Sequence, residues 1–287
     1  MGKGKRLREQ RSRNTVAVKN KPLGITKEWY YILRYIAIIT MFSDHLGKVL
    51  GATGLINADV YFAFTAIGRI AFPLFAYMLV ESFFFTKNKK KHLLQIGILF
   101  LLSELPFDMV LMLKEPLAFD KTALNGQNTC LTLFLGFLML IIMNADWKNL
   151  FKKLYKREKL CRVLEIFTRI IIAGIFAFIA TALMTDYAWR GIMLIAFFYS
   201  ARNKKAKSVI CFFAMTLFTF SAGAYISKYM YAYFALIPIF LVQSEIGKIK
   251  ISDKFEKIIA GRFSRTFCRF FYPAHLLLLA IFKMSLI

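Results

Sequence analysis

The feature that most limits this chain is a succession of nine apolar runs between residues 29 and 286. A helix needs about 20 apolar residues to cross ~30 Å of hydrocarbon, fewer where it is short or buried among neighbours. Lipid offers the backbone no hydrogen-bond partners, so such runs become helices. The pattern predicts spans over 29–51, 59–86, 92–113, 129–145, 166–185, 188–201, 207–226, 230–247 and 269–286. The fifth and sixth, joined by a tight turn around Thr185–Ala188, read as a helical hairpin that need not cross fully. Composition agrees, with 58% hydrophobic and 20% charged residues, against roughly 45–50% and about 25% in soluble domains. Mean hydropathy is +0.54. A disordered chain, a collagen-like chain and an ordinary water-soluble enzyme are excluded. The expected fold is all-α: a polytopic transmembrane helical bundle of about nine spans, within a range of eight to ten.

The net charge of +24, from 40 Lys+Arg against 16 Asp+Glu, would suggest nucleic-acid binding in a soluble protein. Position argues otherwise. Ten Lys/Arg occur up to and including Arg34, and further clusters follow spans two (Lys87, Lys89, Lys90, Lys91), four (Lys148 to Arg162), six (Arg202 to Lys207) and eight (Lys248 to Arg269). The alternate loops carry only Lys48, Lys114, Lys121, Arg190 and Lys228. Cationic loops stay cytoplasmic. The alternation therefore puts the N-terminus in the cytoplasm and the C-terminus outside, and it accounts for the charge without a nucleic-acid partner. Residues 1–28 read as a basic disordered tail attracted to anionic headgroups; no apolar core of a signal peptide precedes span one. Residues 29–287 read as a single transmembrane domain. Cys130, Cys161, Cys211 and Cys268 show neither metal-ligand nor disulfide spacing, so no metal is expected and they read as small buried hydrophobes.

Ionisable side chains inside a bilayer cost about 2.5–3.5 kcal/mol each on insertion scales, which makes them functional candidates. On span one, Arg34 and His45 are eleven positions apart, about three turns, so they share a face and stand about 16 Å apart along the axis. His45 follows Asp44. An imidazole with a carboxylate neighbour suits general-base chemistry, although adjacent helical residues point about 100° apart. The alternative is an interfacial histidine satisfied by hydrogen bonds. Arg69, in Gly68-Arg69-Ile-Ala-Phe72-Pro73, falls about 15 Å deep, where it must meet a carboxylate or bind an anion. Pro73 removes the N–H that would bond the Arg69 carbonyl and so predicts a kink. Glu81 lies nearer the inner side, where it could simply pair with a cytoplasmic lysine. On span three, Glu104 and Asp108 share a face at about 18 and 24 Å depth, overlapping His45 and Arg69. A buried structural ion-pair network is the competing reading. His275 stands about two turns into span nine and could be a capping or headgroup-facing histidine.

These residues carry a resemblance. The carriers are Ile-Thr-Met-Phe-Ser-Asp44-His45, Gly68-Arg69-Ile-Ala-Phe72-Pro73-Leu-Phe-Ala with Val80-Glu81, and Ser103-Glu104-Leu-Pro106-Phe107-Asp108. Asn128 with Leu131-Thr132-Leu133, Thr185-Asp186-Tyr187 and Tyr272-Pro273-Ala274-His275 complete them. Over about Tyr30 to His275 the chain resembles the TraX family, named for a protein that acetylates the amino terminus of conjugative pilin. The arginine, ten residues, then histidine from Arg34 to His45 is similar to the signature of the acyltransferase-3 membrane acetyltransferases.

The resemblance implies membrane-bound acetyl transfer in the bacterial inner membrane. The donor would be acetyl-CoA, without a metal, and the acceptor a pilin-like amino terminus or a cell-envelope glycan hydroxyl. Candidate catalytic residues are His45, Asp44, Arg69, Glu104 and Asp108; candidate substrate-binding residues are Arg34, Glu81, Asn128, Asp186 and His275. His45 would deprotonate the acceptor while Asp44 or a span-three carboxylate holds the imidazolium. Arg69 would stabilise the oxyanion or order Glu104 and Asp108, and His275 would contact the donor. Two other classes stay open. Intramembrane charges also mark the ion paths of transporters, and they can merely join the helices of an assembly subunit.

Overall fold

The computed structural model of the chain describes residues 26–112, 126–155, 157–202, 207–249 and 252–286. Residues 1–25 of the expected tail, and Lys114, Lys121, Lys204 and Lys205 of the loops, lie outside them. Among the described residues thirteen α-helices follow in order. They are α1 (Lys27–Ala52), α2 (Ala58–Gly68), α3 (Ala71–Phe85), α4 (Lys89–Phe107), α5 (Thr129–Met143), α6 (Trp147–Leu154), α7 (Glu158–Ala182), α8 (Ala188–Ala201), α9 (Lys207–Phe220), α10 (Ile226–Tyr229), α11 (Leu236–Gln243), α12 (Asp253–Ile259) and α13 (Arg262–Leu286). Among the described residues there is no strand, only an isolated bridge between Gln127 and Thr185.

Short polar side chains start several helices, because an Asn or Asp oxygen can satisfy a backbone N–H of the first turn. Asn57 accepts from Val60 N, Asn88 from Lys91 N, Asn128 from Cys130 N and Asp146 from Asn149 N. Among the described residues five helical stretches are long and apolar enough to cross a membrane: Ala58–Phe85, Lys89–Leu111, Glu158–Ala182, Gly223–Gln243 and Glu256–Leu286. Thr129–Met143, Ala188–Ala201 and Lys207–Phe220 are apolar but shorter. Leu94, Leu101 and Leu102 of α4, Ile170 and Phe178 of α7, and Leu278 and Ile281 of α13 turn outward. In a chain of this hydropathy such faces meet lipid, and the fold is that of a multi-pass membrane protein.

The expected runs are helical, with four differences of detail. Span two is two helices, because the backbone breaks at Arg69–Ile70, where tighter bonds to Ala66 O (3.1 Å) and Ile67 O (3.2 Å) replace the regular ladder. Pro73 then sits in the first turn of α3, where its missing N–H leaves no partner unsatisfied. Span three ends in a π-helical turn, Asp108–Met112, just after Pro106. Span eight is an interrupted rod of 3₁₀ and α segments from Gly223 to Gln243. Span nine starts at Arg262, earlier than its apolar run. The turn before α8 is as tight as expected, with positive φ at Met184 (51°) and Ala188 (45°). It is held by Gln127 N to Met184 O (3.0 Å) and Asp186 N to Gln127 O (2.9 Å).

The largest buried cluster includes Phe72, Phe83, Phe137, Met139, Leu140, Ile192, Ile195 and Phe218, from α3, α5, α8 and α9. Gly191 allows this approach, since a Cβ there would stand 2.6 Å from Thr132 Cγ2 and 2.8 Å from Phe72 Cζ. All four cysteines are buried and free. Glu81 pairs with an arginine rather than a loop lysine. Arg202 Nε and Nη2 donate to its two oxygens at 3.0 and 3.4 Å, and the guanidinium lies 3.7 Å from the Phe84 ring centroid. Both charges are buried, so removing one strands the other. Glu81→Gln should lower thermal stability in detergent by about 3–5 kcal/mol, and Glu81→Met with Arg202→Leu should recover most of it. Unfolding of the three purified proteins checks this.

Candidate functional site

Helix α1 presents Asp44 and His45 to different neighbours, as the 100° step between adjacent residues requires. Asp44 turns to α2. Its Oδ1 accepts from Arg69 Nη2, and its Oδ2 lies 2.7 Å from Lys48 Nζ, one turn on. Arg69 also donates to Thr65 O (3.2 Å) and Tyr229 Oη (3.4 Å). Gly68 makes the meeting possible. A Cβ at Gly68 would run into the Asp44 side chain, its Cγ and Oδ1 both within 2.8 Å.

His45 turns to α13 instead. Its Nδ1 lies 2.7 Å from His275 Nε2, and His275 Nδ1 lies 2.7 Å from Phe271 O. The two rings are 5% and 3% exposed, so neither faces lipid or headgroups. This corrects two expectations. Asp44 does not orient His45, because two cations already hold its carboxylate. His275 is not a capping histidine, because α13 starts three turns before it.

Glu104 of α4 and Asp108 of the π-helical turn that follows it form a separate group. Asn128 donates from N (3.3 Å) and from Nδ2 to Glu104 Oε2, and from Nδ2 to Phe100 O (3.1 Å). Glu104 Oε1 and Asp108 Oδ1 are buried without a hydrogen-bond partner among the described residues. Arg69 therefore does not order these acids: Asp44 takes the guanidinium, and Asn128 takes Glu104. Asp186 accepts from Thr129 Oγ1 (2.6 Å) and pins the start of α5 to the turn before α8. Among the described residues no group of three His, Cys, Asp or Glu side chains could hold a metal ion.

A cavity of about 170 Å³ opens between α1, α3, α4, α5 and α13. Arg34, Ser82, His92, Gln95 and Arg269 give it one polar end. Ile38, Met41, Phe75, Leu79, Leu99 and Leu133 make its walls apolar, and Thr129, Cys130 and Tyr272 line it further along. Tyr272 is the link to the histidines, with its ring 6.0 Å from that of His45 and 5.7 Å from that of His275. So Arg34 lines a cavity that stops one residue short of the pair. Sequence reasoning passed over Lys48, Tyr229 and Tyr272 as site residues. Lys48, four residues after an acid on one helix, carried a local signal, and Tyr272 opens the motif that ends at His275.

A helical membrane protein with an arginine–aspartate pair and a histidine couple enclosed in its bundle is the class that these observations define. The family model described as TraX protein matches residues 30–283, and the chain belongs to that family. Comparison with curated proteins and with solved structures gives no match.

The contact at Gly68 is open to test. Gly68→Ala should lower thermal stability by about 1–3 kcal/mol through overpacking. Gly174→Ala should leave it unchanged or slightly higher, since a Cβ there meets nothing within 4 Å and Ala favours helix over Gly by up to about 1 kcal/mol. Melting curves of the two variants side by side give the answer.

Proposed function

We propose that the chain is an integral membrane acetyltransferase of the bacterial inner membrane. It moves an acetyl group from cytoplasmic acetyl-CoA to a pilin-like amino terminus or a cell-envelope glycan hydroxyl. The supporting observation is the cavity lined by Arg34 and Arg269, which ends at Tyr272, the residue packed against the buried His45–His275 couple. In this reading the N-terminus is cytoplasmic and the chain crosses about nine times, as the alternation of basic loops favours. Arg34 and Arg269 attract the phosphates of the donor, while the apolar walls suit its uncharged arm. His45 takes the acceptor proton as general base. Asp44 and Arg69 hold α1 against α2 and so hold His45 in place. Glu104 and Asp108, each with an oxygen left unpaired among the described residues, orient the acceptor in this reading.

The same unpaired oxygens favour a second reading, a proton-coupled transporter, which predicts flux without acetyl-CoA dependence.

Incubating membranes with labelled acetyl-CoA and identifying the labelled product separates the two. His45→Ala at matched expression should lose roughly 10²–10⁴-fold in transfer, and unchanged turnover removes His45 from catalysis. Binding raises the stability of the folded state. CoA should therefore raise the melting temperature of the purified protein, and Arg34→Gln with Arg269→Gln should shrink that rise.

A further inference from the structure

We propose that His275 is the positioning residue of His45: it holds that imidazole in its Nδ1–H tautomer, so that Nε2 is the atom that takes the acceptor proton. This rests on the acetyltransferase reading for its chemistry, but the tautomer itself does not.

The direction of the bonds follows from the last acceptor in the row. Phe271 O is a carbonyl and can only accept, so His275 Nδ1, 2.7 Å away, carries a proton. In a neutral imidazole the other nitrogen is then an acceptor. His275 Nε2 therefore takes its bond from His45 Nδ1–H at 2.7 Å, and His45 Nε2 is left with a bare lone pair. The ring geometry suits this assignment. The planes are within 5° and the centroids 5.0 Å apart, a distance that matches the 2.7 Å bond plus the two ring radii. The imidazoles thus lie edge to edge in one plane, where the lone pair of Nε2 points along the bond, and not face to face.

The familiar orienting group for a catalytic histidine is a carboxylate, but here the adjacent one, Asp44, is bound by Arg69 and Lys48. A neutral imidazole backed by a peptide carbonyl takes its place. It brings no net charge into an apolar site, where an unpaired charge would be costly. In the reaction, the acceptor O–H or N–H gives its proton to His45 Nε2 as the acceptor atom bonds to the acetyl carbonyl carbon. The C–S bond then breaks, the sulfur leaves with the electron pair and takes the proton from Nε2, and His45 returns to neutral while His275 stays neutral throughout.

The test is spectroscopic and needs no substrate. The chain has only three histidines, so ¹⁵N-imidazole labelling gives three assignable rings, with His92 as an internal reference. At mildly alkaline pH, above the ordinary imidazole pKa of about 6.5, the wild-type spectrum should show His45 protonated at Nδ1. In His275→Phe the proton should move to Nε2. In kinetics, His275→Phe should lower kcat for CoA release by roughly 10²–10⁴-fold with KM unchanged. His275→Gln, whose amide oxygen can accept the same bond, should retain more activity than His275→Phe. A wild-type His45 protonated at Nε2, or a His45 tautomer indifferent to His275→Phe, overturns the proposal even where acetyl transfer is found. If the Phe variant does not fold, the wild-type spectrum alone decides. A correct tautomer with no transfer to any acceptor instead counts against the enzymatic reading alone.

Discussion

A guanidinium inside a helical bundle must find its counter-charge within the bundle, and much of this architecture follows from how Arg69 finds Asp44. The contact needs α1 and α2 close enough that no side chain fits at Gly68. It fixes the rotation of α1 about its own axis. Once Asp44 faces α2, the next residue faces elsewhere, and His45 reaches α13. It also comes at the point where the backbone breaks between α2 and α3, so the residue that supplies the charge also ends one helix before the next begins. One ion pair thus decides which way a neighbouring imidazole looks.

Other polar contacts do comparable work between other helices. Glu81 and Arg202 tie α3 to α8, Asn128 and Glu104 tie the start of α5 to α4, and Thr129 and Asp186 tie the same start to the turn before α8. Each partner is distant in sequence, and each pair spares the bundle an unmatched charge or dipole. The histidine couple joins α1 to α13 with neither a carboxylate nor a guanidinium between them. It also borders, through Tyr272, a cavity that the ion pairs leave open.

The helical class and most segment positions were legible because they depend on local quantities: run length, hydropathy and the placement of lysines and arginines. The motif residues were legible as candidates because a charge in an apolar run stands out whatever it contacts. Their partners were not. Nothing near Glu81 announces Arg202, which read as one more loop cation, and nothing near His45 announces His275, 230 residues away. The helix start misled at His275, because counting from the apolar run missed the polar first turns of α13. The interruptions in spans two, three and eight were partly visible. Pro73 and Pro106 mark two of them, whereas the mixed rod from Gly223 to Gln243 has aromatic and small residues in place of a clear breaker before Pro238.

Helix α9 has only 14 residues, about 21 Å at 1.5 Å per residue, yet Val209, Phe212, Phe213 and Phe220 project outward from it. A hydrocarbon layer near 30 Å is thicker than this helix is long, and where a crossing helix is shorter than the layer, acyl chains beside it compress or tilt at a cost of fractions of a kcal/mol per ångström of mismatch. Were this helix to cross, the bilayer beside it would thin, and lipid chain length would become a variable to which the protein is coupled.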